Sequence, residues 1–156
     1  CELVDTEVGE NVDIRASFAI GAKIGKNTTV GPFACLRKGA NVGAYCRVGD
    51  FVEVKNSNLG DGVKMAHLAY VGDADVGENT NVGCGTVFAN YNGKTKNRCT
   101  VGSNVFIGAN TNLVAPVTVH NGAYIAAGST ITQDVPAGNL CIARSRQVFK
   151  ENWERK

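Results

Sequence analysis

The sequence predicts an all-β fold, a parallel β-helix built of hexapeptide repeats, and two observations carry that prediction. The first is glycine. The 156 residues hold 19 glycines against 3 prolines. Many follow an aliphatic residue, as in Val8-Gly9, Ile24-Gly25, Val30-Gly31, Val42-Gly43, Val82-Gly83, Val101-Gly102 and Ile107-Gly108. The second is spacing. In steps of six, Ile24, Val30, Leu36, Val42, Val48 and Val54 form one run, and Val101, Ile107, Leu113, Val119, Ile125 and Ile131 another. Neither a helix of period 3.6 nor a strand of period 2 gives this pattern; the hexapeptide β-helix does. A β-sandwich with glycine-rich turns would space its turns by about 8–12 residues.

Each element follows from that period. A hexad is a short flat strand and a corner, and three hexads close one triangular coil. The aliphatic residue points inward, and Gly, Asn or Asp takes the corner. Shorter runs fill the chain: Val8, Ile14, Ile20; then Leu59, Met65, Val71; then Val76, Val82, Phe88. From Val8 to Ile131 there is room for about seven coils of roughly 18 residues. Coils of this repeat wind left-handed, against the usual crossover rule, although the period itself carries no hand.

The register slips between Ile20 and Ile24, between Val54 and Leu59, and between Val71 and Val76. The large break is residues 89–100, "ANYNGKTKNRCT", a polar loop turning at Asn92-Gly93. Its Lys94, Lys96 and Arg98 favour an anionic partner, and loops thrown out of a regular scaffold commonly carry function. Repeats occupy residues 1–138. Residues 139–156 form a basic tail with Arg144, Arg146, Lys150, Arg155 and Lys156. Val148, Phe149 and Trp153 are expected to line a short helix packed on the last coil, closing the open end of the prism.

Composition narrows the function classes. Hydrophobic residues make up 44% and the net charge is +2, which excludes a disordered chain and gives no footing for nucleic acid. No apolar run approaches the roughly 20 residues of a membrane span. No signal peptide is evident. Cys1, Cys35, Cys46, Cys84, Cys99 and Cys141 form no C-x-x-C pair and read as reduced thiols of a cytoplasmic protein. A start at Cys1 rather than Met reads as part of something longer or as a processed product.

Chemistry concentrates in two stretches. In "FVEVK", Glu53 and Lys55 lie on one side of a strand, with Val52 and Val54 on the other. Twelve residues on, "KMAHLAYVGD" holds His67. A His beside a Glu is an oriented general base, but a lone His is as readily a packing residue, and residue type alone leaves both readings open. His67 and His120 are too few for a three-histidine zinc site, so no metal is expected.

The segments "GPFACLRKGA", "VEVK", "KMAHLAYVGDADVGENTNVGCGT", "ANYNGKTK", "APVTVHNGAYIAAGS" and "KENW" resemble one family. It is the C-terminal acetyltransferase domain of the bifunctional bacterial enzymes that make UDP-N-acetylglucosamine. Those enzymes join glucosamine-1-phosphate N-acetyltransferase to N-acetylglucosamine-1-phosphate uridyltransferase, and nothing here resembles the uridyltransferase half. The resemblance implies acetyl transfer from acetyl-CoA to the amine of glucosamine 1-phosphate, in a cytoplasmic homotrimer serving cell-wall synthesis. It implies His67 as the base and Glu53 as the carboxylate orienting it. Arg37, Lys55 and Lys96 would lie near the sugar phosphate, and Tyr70, Asn81 and Asn90 at the sugar. Cys84, Tyr91, Ala109, Ala127, Arg144 and Lys150 would line the acetyl-CoA side. Cys84 stands where Ala is expected, at a position used through its backbone. Ala109 stands where Ser is expected, so a hydroxyl contact is lost. The alternatives are a hexapeptide acyltransferase with another sugar or amino-acid acceptor, and a non-catalytic repeat scaffold.

Overall fold

Six-residue steps become short parallel strands joined at three corners. The structure is a computed structural model that describes residues 1–154; the tail cations Arg155 and Lys156 lie outside the described residues. The chain winds into an all-β parallel solenoid of about eight turns that matches the left-handed β-helix expected, one turn more than the sequence suggested. Register is continuous along a face: Phe18 pairs with Cys35, Cys35 with Glu53, Glu53 with Tyr70, Tyr70 with Val87, Val87 with Asn112 and Asn112 with Thr130. The long strands Arg47–Lys55 and Lys64–Gly72 bend round one corner and join two faces into a single 14-stranded sheet. The third face is a 7-stranded sheet.

The inward residues form the core. Both six-step runs, Ile24 to Val54 and Val101 to Ile131, are buried throughout, as are Leu59, Met65, Val71, Val76, Val82 and Phe88. The first run differs. Val8 and Ile20 are half exposed, and Ala19 is the inward residue that stacks on Leu36. The slip after Ile20 is therefore a change of parity, since a one-residue shift in a strand exchanges its faces. Ser17, Thr28, Ser57, Thr80, Thr86, Thr111 and Ser129 are buried, each with its hydroxyl donating to a backbone carbonyl. No buried side-chain polar atom lacks a partner among the described residues. The six cysteines are free, and burial pushes the Cys99 thiol up to about 11.

Two of the corners are columns of left-handed backbone. One column is Asn11, Asn27, Tyr45, Gly62, Asn79, Asn104 and Gly122; another is Ala16, Phe33, Phe51, Leu68, Gly85, Asn110 and Gly128. Asn and Gly suit positive φ, but bulky side chains there cost roughly 1–2 kcal/mol each. Phe33, Phe51 and Leu68 bear that cost while remaining 56–59% exposed, and the two rings stack at 5.7 Å.

The loop and tail differ from expectation at their edges. Ala89 belongs to the strand Val87–Ala89 and Cys99 to Cys99–Val101, so residues 90–98 form the loop. The strand Leu140–Cys141 pairs with Tyr124–Ile125, extending the solenoid past residue 138. Beyond it residues 142–154 run without a helix, and Val148, Phe149 and Trp153 are exposed. So short a segment is not a stable helix without a surface to pack on.

Candidate active site

His67 lies on the strand Lys64–Gly72 just before the corner at Leu68, with its side chain exposed. In register beneath it is Asp50, and Nδ1 lies 2.6 Å from Asp50 Oδ1. The hydrogen bond with His67 holds the Asp50 carboxyl below the usual carboxylate range. Close approach of the two coils depends on Gly49, whose missing Cβ would lie 1.8 Å from the Ala66 carbonyl oxygen.

Glu53 does not orient His67. The parity read from "FVEVK" is correct, with Val52 and Val54 buried and Glu53 and Lys55 facing out. But the corner at Phe51 and Leu68 turns the strand between the two positions. Glu53 consequently registers with Tyr70, and its Oε1 accepts from Arg37 at 2.8 Å.

Past that corner the remaining polar residues converge. Lys55 Nζ approaches Asp73 Oδ2 at 3.4 Å, Asn56 donates to Asp73 Oδ1 at 2.6 Å, and the Asn90 amide nitrogen donates to Asp73 Oδ2. The same Asn90 nitrogen reaches the Tyr70 hydroxyl at 3.4 Å. Burial pushes the Asp73 carboxyl up, yet the hydrogen bonds from Asn56 and Asn90 and the Lys55 charge together take it below the usual range. With its NH₂ so engaged, Asn90 has its side-chain Oδ1, which accepts no hydrogen bond among the described residues, left for an outside donor. Contact with Lys55, and then the Lys55 charge, push the Lys96 amine down. Three cations, Arg37, Lys55 and Lys96, thus sit close together, an arrangement suited to an anion.

The loop carrying Lys96 is anchored at both edges. Tyr91 bridges to Lys96, and Asn97 N–H donates to the Asn90 carbonyl at 2.7 Å. Arg98 grips Asp75 through two nitrogens at 2.6 and 2.7 Å and donates to the Asn56 and Ala74 carbonyls. The expectation that Arg98 adds to an anion site therefore fails: its guanidinium is committed to holding the loop.

Above His67 the corner is lined by small residues. Inter-coil hydrogen bonds from Gly85 to Leu68, Asn110 to Cys84 and Gly128 to Ala109 put Cys84, Ala109 and Ala127 one above another in line with His67. All three are exposed, and their N–H groups make no hydrogen bond among the described residues. Arg144 ends the column, donating to the Ala127 carbonyl at 2.6 Å. Coils repeat at about 4.8 Å, so a linear ligand could run along roughly 15 Å of this edge. Asn81 stands on the same face as His67, in register with Lys64. Lys150 lies in the exposed tail. An open groove of about 510 Å³, bordered by Phe51, Leu68, Glu53, Tyr70 and Asn110, follows the corner.

Sequence reasoning missed Asp50 and Asp73. Asp50 precedes His67 by 17 residues, close to one coil, and counting back one coil was the signal that would have found it.

Comparison with known proteins gives a consistent picture. The family described as "Bacterial transferase hexapeptide (six repeats)" matches residues 21–56 and 98–133. The chain is 54% identical over 149 residues to a bifunctional protein GlmU of Clostridium acetobutylicum, covering 96% of this chain and 33% of that protein. To that of Clostridioides difficile it is 54% identical over 154 residues, covering 99% and 34%. The chain therefore spans about a third of the length of the curated relatives it matches. Among solved structures, a UDP-N-acetylglucosamine acyltransferase from Campylobacter jejuni superposes with TM-score 0.57 at 19% identity, covering 89% of this chain and 68% of that one. AntD, an N-acyltransferase from Bacillus cereus solved with dTDP-4-amino-4,6-dideoxyglucose and coenzyme A, gives 0.57 at 13%, covering 93% and 83%. At those identities the likeness is one of fold.

Proposed function

The chain is a hexapeptide-repeat homologue of the bifunctional GlmU proteins over a third of their length, and from that premise we propose that it transfers the acetyl group of acetyl-CoA to the amine of glucosamine 1-phosphate. The observation that carries the reading is the position of His67. It stands where the small-residue corner of Cys84, Ala109 and Ala127 meets the face bearing Arg37, Lys55, Tyr70, Asn90 and Lys96.

Each part then has a chemical task. Arg37, Lys55 and Lys96 hold the sugar phosphate by charge-assisted hydrogen bonds. Tyr70, Asn81 and Asn90 contact the sugar, the Asn90 side-chain Oδ1 accepting from its amine. Coenzyme A lies along the corner, flanked by Tyr91, its phosphates toward Arg144 and Lys150. The amine must be neutral to attack, and His67 takes its proton as the C–N bond forms. The Cys84 N–H, which makes no hydrogen bond among the described residues, stabilises the tetrahedral oxyanion on this reading. Collapse breaks the C–S bond, and the imidazolium returns the proton to the departing thiolate. No covalent enzyme intermediate is needed.

The working form of this reading is a cytoplasmic homotrimer. Phe33, Phe51 and Leu68 occupy strained, half-exposed corner positions beside His67, a cost a lone chain does not recover but a second copy packed on that corner would. The loop and the uncovered tail are the segments available to reach a neighbour's groove. The direct test is product formation from acetyl-CoA and glucosamine 1-phosphate, with galactosamine 1-phosphate and serine as competing acceptors. Turnover of glucosamine 1-phosphate alone supports the reading. Preference for either control acceptor, or no acetyl transfer to any of the three, overturns it.

A further inference from the structure

We propose that Asp50 is the positioning residue of His67: it fixes the imidazole as the Nδ1–H tautomer and leaves the lone pair on Nε2 to act as the base. This rests on the reading of His67 as the base. Three observations carry it. Asp50 and His67 are a register pair on adjacent coils, with Oδ1 and Nδ1 2.6 Å apart. An ionised carboxylate only accepts hydrogen bonds, so a neutral imidazole facing it at Nδ1 must bear its proton there. And the coils are held at that spacing by Gly49, where any side chain would meet the Ala66 carbonyl.

No other group competes for the role. Glu53 is engaged by Arg37 on the far side of the corner. The other charged side chains on the two strands are Arg47, three residues before Asp50, Lys64, which registers with Arg47, and Lys55, which lies past the corner against Asp73. Of these the Arg47 charge helps keep Asp50 ionised, after the hydrogen bond with His67. Above His67 stands Cys84, whose side chain is exposed. As the proton passes to Nε2, the Asp50 charge stabilises the imidazolium, so the carboxylate assists at the moment of transfer as well as in the resting state.

The test combines kinetics with nitrogen NMR of the histidine rings. The chain has two histidines, and His120→Gln leaves the His67 signals alone. In the native chain without substrate, the shifts should report a proton on Nδ1. In Asp50→Ala the Nε2–H form, favoured by an unconstrained imidazole, should take over. kcat should fall by about 10²–10⁴-fold with both KM values within about two-fold, and Asp50→Glu should recover part of the rate. Circular dichroism checks that the solenoid is intact. A His67 ring that keeps Nδ1–H in Asp50→Ala, or a kcat within two-fold of native in that variant, overturns the proposal. The NMR needs no substrate. If the tautomer switches as expected while the native chain acetylates no glucosamine 1-phosphate, the positioning role stands and the substrate assignment is what fails.

Discussion

His67→Ala should lower kcat by about 10²–10⁴-fold, the usual cost of a lost general base, with the solenoid unchanged by circular dichroism. Activity within a factor of two of native would remove His67 from the mechanism. Glu53→Gln should act differently. Its carboxylate holds the Arg37 guanidinium at 2.8 Å, three positions along the register from His67. The variant should therefore raise KM for the sugar phosphate and leave kcat within a few-fold, which steady-state kinetics with each substrate varied will separate. A fall in kcat at constant KM would restore Glu53 to the base. These two residues also show what a sequence makes legible. Strand parity, inward Val52 and Val54 against outward Glu53 and Lys55, needs only alternation and was readable. The partner of His67 needs the number of residues per coil, and the slip between Val54 and Leu59 obscured it. Asp73 was hidden for a related reason: Asp73 and its partners, the adjacent pair Lys55 and Asn56 on one side and Asn90 on the other, come from three separate turns, so no local motif contains them.

At the scale of elements, the repeats were legible because one six-residue rule is written many times over, so noise at single positions averages out. The loop was legible as an interruption, but its internal wiring was not, since a basic residue in a polar segment reads as solvent-facing until a partner is found. Arg98 is that case. Its bidentate grip on Asp75 joins the loop to the 7-stranded sheet. Arg98→Ala should loosen residues 90–97, speed proteolysis near Asn92-Gly93, and raise KM for the sugar phosphate through Lys96 and Asn90. Both partners are more than a third exposed, so the cost should stay near 1 kcal/mol, a fall of about 2–4 °C in Tm. An unchanged cleavage rate would show that Arg98 does not anchor the loop. The Arg98 hydrogen bonds hold the Asp75 carboxyl below its ordinary value, and Asp73 is also lowered. A depressed folded pKa means stability that is present above the unfolded value of about 3.9 and lost as pH falls through the folded value. Thermal melts should hold steady from neutral pH to about 5 and drop below about 4, with Arg98→Ala showing the smaller drop. An equal drop in both would separate the acid transition from this pair.

The whole molecule is a prism whose inside is saturated and whose outside is not. Every described buried polar side chain is paired and the aliphatic columns are closed, yet Phe33, Phe51 and Leu68 line one exposed corner, and Val148, Phe149 and Trp153 lie uncovered in the tail. Both features are read as faces turned toward other copies of this chain. Closed rotational symmetry is the usual way a single exposed edge is satisfied, and three prisms meeting at that corner would set the polar face of a neighbouring copy, besides that of its own chain, against His67. Sedimentation should then give three times the chain mass. Phe51→Asp, which puts a charge on the corner without touching the core column, should shift the chain toward monomer and cut acetyl transfer in parallel. A shared site makes a sharper demand. His67→Ala and Asn90→Ala homotrimers should each be nearly inactive. Equal amounts unfolded and refolded together should regain about a quarter of native activity, since one site in four would draw an intact His67 and an intact Asn90 from different copies. Activity no greater than the mean of the two parents would place both residues of each site in one chain. The corner would then be an assembly surface with no part in completing the site.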